Sequence, residues 1–161
     1  MIRIIGTGGT FEKRYNETTF KMDQDDSVIP EILVTARCRS TVRFERLLNK
    51  ISSKFTDRDF NKIVTRCKNC REKKIVITHG TVTIDKTAKL LDKAKLEKTI
   101  VLVGAVVPYT VANSDAAFNL GFALASAQSL PKGVYVAMNG RVFDALNVKK
   151  DVKTGIFSED N

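Results

Sequence analysis

An apolar run, Ile2 to Ile5, breaks off into Gly6-Thr7-Gly8-Gly9-Thr10. No other stretch restricts the fold so strongly. The run reads as a buried strand. The glycines then allow a sharp turn and let a ligand approach the backbone closely. In parallel α/β sheets, ligands bind beyond the carboxyl ends of the strands. A threonine hydroxyl held there serves as a nucleophile when a base stands nearby. Two other glycine turns are excluded. Gly6-Thr7-Gly8 begins a GxGxxG dinucleotide pattern, but Phe11 occupies its last glycine position. A phosphate-binding P-loop needs a Gly-Lys-Ser/Thr ending, and none follows.

The same theme recurs down the chain. Lys74-Ile75-Val76-Ile77-Thr78 reads as a strand ended by His79-Gly80-Thr81-Val82-Thr83. Ile100 to Val103 ends in Gly104-Ala105, and Val134 to Met138 ends in the turn Asn139-Gly140, with a short strand near Val142-Phe143. Helices are predicted between these strands. One starts at Thr56, with Asp59 at N3 as a capping box, and Phe60, Ile63, Val64 and Cys67 carry it to about Arg71. A second spans roughly Ile84 to Lys93, with Ala88, Leu90 and Leu91 inward. A third is capped by Ser114 or Asp115; it is alanine-rich and apolar on most sides, which predicts a crowded interior. Ile32–Ala36 and Thr41–Phe44 read as short strands, residues 11–30 as a long flexible active-site loop, and residues 151–161 as a polar tail. Alternating strands and helices argue an α/β fold: a Rossmann-like three-layer sandwich around a mostly parallel sheet. Right-handed crossovers then put Thr10, Thr81 and Ala105 along one edge.

The length, 161 residues, predicts a single domain over 1–161. No run approaches the roughly 20 apolar residues of a membrane span. The chain opens on a strand with no basic-then-apolar leader, so a cytoplasmic location is expected. Cys38, Cys67 and Cys70 are odd in number and read as reduced thiols. Cys67-x-x-Cys70 lacks a second ligand pair and His79 is the lone histidine, so neither a metal nor a cofactor is expected. The net charge of +9 permits attraction to nucleic acid. The lysines are scattered, however, with no aromatic ladder among them, and a solvated basic surface is the simpler reading.

Taken together, the motifs resemble those of the bacterial-type L-asparaginases. Thr7-Gly8-Gly9-Thr10 resembles the first signature of that family, and Thr78-His79-Gly80-Thr81-Val82-Thr83 the second. Val103-Gly104-Ala105, Pro108, Ser114-Asp115-Ala116 and Phe118-Asn119-Leu120 resemble the next segment, and Gly133 to Asn139 followed by Asp144 the last. The family enzymes are usually about twice this length, with a second, smaller domain; this chain resembles the short single-domain form. The resemblance implies an amidohydrolase acting on L-asparagine, with L-glutamine as the alternative, and a homo-oligomer. It implies Thr10 as the acylated nucleophile, Tyr15 as its loop partner, and Thr81 with Lys150 as a relay, Lys149 being the fallback lysine. It implies Ser52 and Ser53 at the substrate carboxylate and Ala105 as a backbone contact to the amide.

One departure stands out. The family's HGTDT reads HGTVT here, so Val82 replaces the aspartate that binds the substrate ammonium. An ammonium buried against valine is left unpaired, at a cost of several kcal/mol. Weakening of asparagine turnover by roughly a hundredfold or more is expected. Asp85, one helical turn on, is the nearest substitute carboxylate. Lys54 is a second departure, since an acidic residue commonly follows the serine pair. Two other readings follow: a non-catalytic relative that binds an amino acid or a partner in the same crevice, and a nucleic-acid-associated protein, since an asparaginase-like domain also occurs in an amidotransferase acting on charged tRNA.

Overall fold

Successive residues of the central strands bury alternate faces of one sheet, and that pattern produces the layers. The computed structural model describes residues 1–151 and 153–159. In chain order come β1 (Ile2–Gly8), a 3₁₀ turn (Thr10–Glu12), β2 (Lys13–Asn16), β3 (Lys21–Gln24), α1 (Ile29–Thr35) and β4 (Val42–Lys50). A second 3₁₀ turn (Ser52–Lys54) leads to α2 (Asp57–Asn69), β5 (Lys74–Thr78), α3 (Ile84–Lys93), β6 (Thr99–Val103) and α4 (Ala116–Ser129). Then follow β7 (Gly133–Met138), β8 (Arg141–Asp144), β9 (Val148–Lys150) and β10 (Phe157–Glu159).

The main sheet has the order β4-β1-β5-β6-β7-β8. Every pair in it is parallel except β7–β8. Ile75 and Ile77 of β5 enter one core with Ile63 of α2 and Ile84 and Leu91 of α3. Val76 enters the other with Ile29 and Ile32 of α1 and Ala116, Leu120 and Ala123 of α4. Both faces are therefore covered, and strands so placed are apolar throughout. The chain runs from β1 out to β4 and then returns past β1 to β5. The strand order thus reverses between β1 and β5, which is where open α/β sheets form their binding crevice.

Several local expectations are corrected. Residues 11–30 form a 3₁₀ turn, the β2–β3 hairpin with Tyr15 opposite Met22, and the start of α1, rather than a structureless loop. Ile32–Ala36 is not a strand: α1 runs through it, with Pro30 in its first turn and Ile29 and Ile32 buried three residues apart. β4 extends well past Phe44, to Lys50. α2 ends at Asn69, two residues short of Arg71. Leu90 is only half-buried on α3. On α4, Phe118 is 62% exposed and Gly121 faces open space, so one side of this apolar helix stays uncovered. The tail is not featureless either: β9 and β10 form a hairpin that anchors Phe157 in the core. Tail positions 152, 160 and 161 lie outside the described residues. Among the described residues no helix is long and apolar enough to cross a membrane.

Candidate active site

Two glycine turns touch at the carboxyl edge of the sheet. β1 ends in Gly8 and Gly9, both with positive φ, 93° and 81°. L-residues with a side chain rarely adopt that backbone. A carbon added at Gly9 would stand 2.7 Å from the nitrogen and α-carbon of Gly80. The backbones at the ends of β1 and β5 are thus packed together with no room for a side chain. Thr10 and Thr81 each follow one of these glycines, so the structure brings the two hydroxyl-bearing turns to one crevice. A carbon at Gly80 would collide with Ser52 Oγ, and one at Gly104 would lie 2.6 Å from the Thr81 methyl. The ends of β1, β5 and β6 and the 3₁₀ turn after β4 therefore converge.

The turn before Thr10 is held from several sides. The Gly9 N–H donates to the Lys50 carbonyl at 3.0 Å, and Gln24 Nε2 donates to the Gly9 carbonyl at 2.9 Å. Buried Glu12 accepts from the Val28 N–H (3.1 Å) and Ser27 Oγ (2.9 Å), and burial pushes its carboxyl above the usual range. Thr10 itself is half-buried, and its hydroxyl has no hydrogen-bond partner among the described residues.

Thr81 is differently placed. It is buried, and its Oγ1 accepts a hydrogen bond of 2.7 Å from Lys150 Nζ, delivered by β9. The side chain of Lys150, not that of Lys149, reaches it. Burial pulls the Lys150 ammonium below the ordinary lysine range. Beneath this turn the neutral form of His79 is enforced: full burial pushes the ring down to about 4. Its Nδ1 pairs with the Gly80 carbonyl and its Nε2 with Thr87 Oγ1, both at 2.8 Å.

Ser52 is buried, and its Oγ lies unpaired against Gly80. An orphaned buried hydroxyl at a crevice is a ready ligand contact. The capping box fixes its position. The Thr56 N–H and Lys50 Nζ both donate to Asp59, lowering that carboxyl to about 2, and so clamp the end of β4 to α2. Ser53 and Lys54 stand exposed beside Ser52, Val82 is 61% exposed, and Asp85 lies half-buried in the first turn of α3. Tyr15 is not brought onto Thr10: it stands on β2, 58% exposed, with no hydrogen bond between them. The hairpin that carries it nonetheless touches the loop after β6, where Thr110 Oγ1 donates to the Lys13 carbonyl at 3.0 Å.

Ala105 is buried at the end of β6, and side chains at the start of α4 organise the loop that follows it. Asp115 is the N-cap residue of α4, as expected, but its side chain caps no helix N–H and accepts from the Val106 and Val107 N–H groups at 3.0 and 2.9 Å. The first-turn N–H of Ala116 goes to Ser114 Oγ at 3.1 Å. Fully buried Asn119 donates to the Gly104 carbonyl at 3.0 Å and accepts from the Asn139 N–H at 3.1 Å. A lone asparagine in an alanine-rich helix was the available signal for that role. Gln24 carried no signal, since its partner is a backbone carbonyl on another element. No cluster of three or more metal-binding side chains occurs among the described residues.

These features, a parallel sheet with two threonine turns meeting at its switch point, define a class of α/β domain that comparison identifies. The sequence model for the N-terminal domain of asparaginase matches residues 1–156. The chain is 33% identical to L-asparaginase 2 of Escherichia coli and 32% identical to a probable periplasmic L-asparaginase of Haemophilus influenzae; each alignment covers 96% of this chain and 47% of the relative. It is also 33% identical to a component of the glutamyl-tRNA(Gln) amidotransferase of Methanococcus vannielii, over 94% of this chain and 37% of that protein. Its structure superposes on the thermostable L-asparaginase from Thermococcus kodakarensis with a TM-score of 0.84 at 28% identity, covering 98% of this chain and 50% of that one. The protein belongs to the asparaginase family, through its N-terminal domain. It spans about half the length of the L-asparaginases it matches.

Proposed function

We propose that this domain is an L-asparaginase-type amidohydrolase whose nucleophile is Thr10. The observation that carries the reading is the Gly9–Gly80 backbone contact: the two turns it joins lead directly into Thr10, whose hydroxyl is unpaired, and into Thr81, whose hydroxyl is bonded to Lys150. In this mechanism Thr10 Oγ attacks the side-chain amide carbon of the substrate. Its proton leaves through Tyr15 once the hairpin closes, or through Thr81 to a neutral Lys150. N–H groups of the glycine turns stabilise the oxyanion, ammonia departs, and water hydrolyses the acyl-enzyme. Ser52 and Ser53 bind the substrate carboxylate, and the Ala105 carbonyl takes the amide N–H.

The domain acts on a small-molecule amide, in the cytoplasm and within a homo-oligomer. Val82 weakens the reaction by leaving the ammonium of asparagine without a carboxylate. The second reading, an inactive relative that binds an amino-acid ligand, is favoured by that same valine and by the exposed Lys54 that follows the serine pair. Ammonia release from L-asparagine and L-glutamine, wild type beside Val82→Asp, separates the two. A gain of roughly a hundredfold on Val82→Asp supports the enzyme. A variant as inert as the parent supports the binding protein.

A further inference from the structure

The sheet edge opposite the crevice holds a nucleophile pair that the proposed chemistry leaves unused. Cys70 closes the C-terminus of α2, and Lys98 immediately precedes β6. Both are buried, at 6% and 7% exposure. Lys98 Nζ lies 3.3 Å from Cys70 Sγ and also donates to the Cys70 carbonyl. No carboxylate among the described residues comes within ion-pair distance of this amine. The two side chains therefore face each other at near-attack distance.

The obvious competitor is Cys67, one helical turn back. Its carbonyl, 3.4 Å away, accepts from Cys70 Sγ. Burial, with Cys70 alongside, pushes the Cys67 thiol up to about 12. Thiol attack requires the thiolate, so Cys67 is a poor resolving group.

We propose that Cys70 and Lys98 are a redox modification site, joined by a reversible covalent cross-link when a peroxide oxidises the Cys70 sulfur. Hydrogen peroxide is a small, uncharged oxidant, suited to a pair that is only 6% and 7% exposed. It passes one oxygen to the thiol, giving a sulfenic acid and one water; sulfur loses two electrons and the peroxide gains them. The Lys98 ammonium gives a proton to solvent, and the neutral Nζ then attacks the sulfur. The S–N bond forms, the S–O bond breaks, and the departing hydroxide takes the second amine proton as water. One peroxide is consumed and two waters are formed. A second peroxide inserts one oxygen into this link: the S–N bond breaks, S–O and O–N bonds form, nitrogen loses two electrons, and the peroxide's other oxygen leaves as a third water, so the same two residues stay joined. A dithiol breaks either link by attacking the sulfur. The S–N link gives back the amine; the oxygen-containing link leaves a hydroxylamine that further dithiol reduces to the amine and water. The dithiol's second thiolate then frees Cys70 as the reagent closes to its cyclic disulfide. The link closes the segment from 70 to 98, which contains β5, the Gly80 turn and α3, at the end remote from Thr10.

Peptide mass mapping after hydrogen peroxide treatment tests the proposal. The expected product joins the Cys70 peptide to the Lys98 peptide. Its mass is about 2 Da below the sum of the two, or about 14 Da above it where oxygen is retained. Dithiothreitol removes it, Cys67→Ala keeps it, and Lys98→Met and Lys98→Arg each lose it. A Cys67–Cys70 disulfide, a sulfenic or sulfinic Cys70 with nothing attached in the wild type, or an unmodified Cys70 would each overturn the proposal. The wild-type result decides even where a Lys98 variant fails to fold.

Discussion

Thr10 and Thr81 carry the same functional group in opposite states: the first hydroxyl is unpaired, the second is bonded to Lys150. Thr10→Ala is predicted to remove at least about a thousandfold of any ammonia release while leaving the melting temperature within a degree or two, since no bond is lost. Lys150 serves as a base only when neutral, so kcat/KM rises with pH toward its lowered pKa. In Lys150→Met, kcat falls by roughly a hundredfold or more and that rise disappears; a pH–rate profile reads both. His79 gives a stability prediction with the opposite direction from a solvent-paired histidine. Its folded pKa, about 4, lies below the unfolded value of 6.5. The unfolded chain therefore takes up a proton that the folded one refuses, and stability is full above 6.5 and lost as pH falls toward 4. The loss is on the order of 3 kcal/mol, read by denaturant titration at pH 7 and pH 4 against His79→Gln.

At the level of elements, the crevice depends on backbone contacts that tolerate no side chain. Gly9→Ala must hold φ near 81° and displace the Gly80 backbone, so a loss of about 2–4 kcal/mol is predicted, with activity falling alongside. Asn119→Leu leaves the buried Gly104 carbonyl without this partner and removes the part-buried Asn139 N–H bond, for a loss of about 2 kcal/mol in a denaturant melt. The elements most legible in the sequence are those with one dominant local signal. β5, β6 and β7 are unbroken apolar runs, and the α2 capping box appears where Thr56 and Asp59 are spaced for it. α1 is hidden because Ile32, Leu33 and Val34 look like a strand in isolation. Only Ile29 and Ile32 are buried, at helical spacing, with the exposed Pro30 and Glu31 between them. The β2–β3 hairpin is hidden because its residues are polar and form no part of the core.

For the molecule as a whole, the crevice is legible because its residues follow strand ends, and a parallel sheet gathers strand ends at one edge. The Thr81–Lys150 bond is reachable only through family resemblance, since 69 residues separate its partners. The +9 charge is spread, so no nucleic-acid affinity is expected even at low salt. An affinity that falls steeply with added salt would contradict this. Sedimentation is predicted to return a multiple of the 17.9 kDa chain mass. The central claim is that the hydroxyl beyond the Gly9 bend becomes acylated. Acid quenching during turnover of L-asparagine, followed by peptide mass spectrometry, tests it most directly. The account predicts an aspartyl ester on the peptide carrying Thr10, absent from Thr10→Ala. An ester on any other residue, or ammonia release that survives Thr10→Ala, would contradict it.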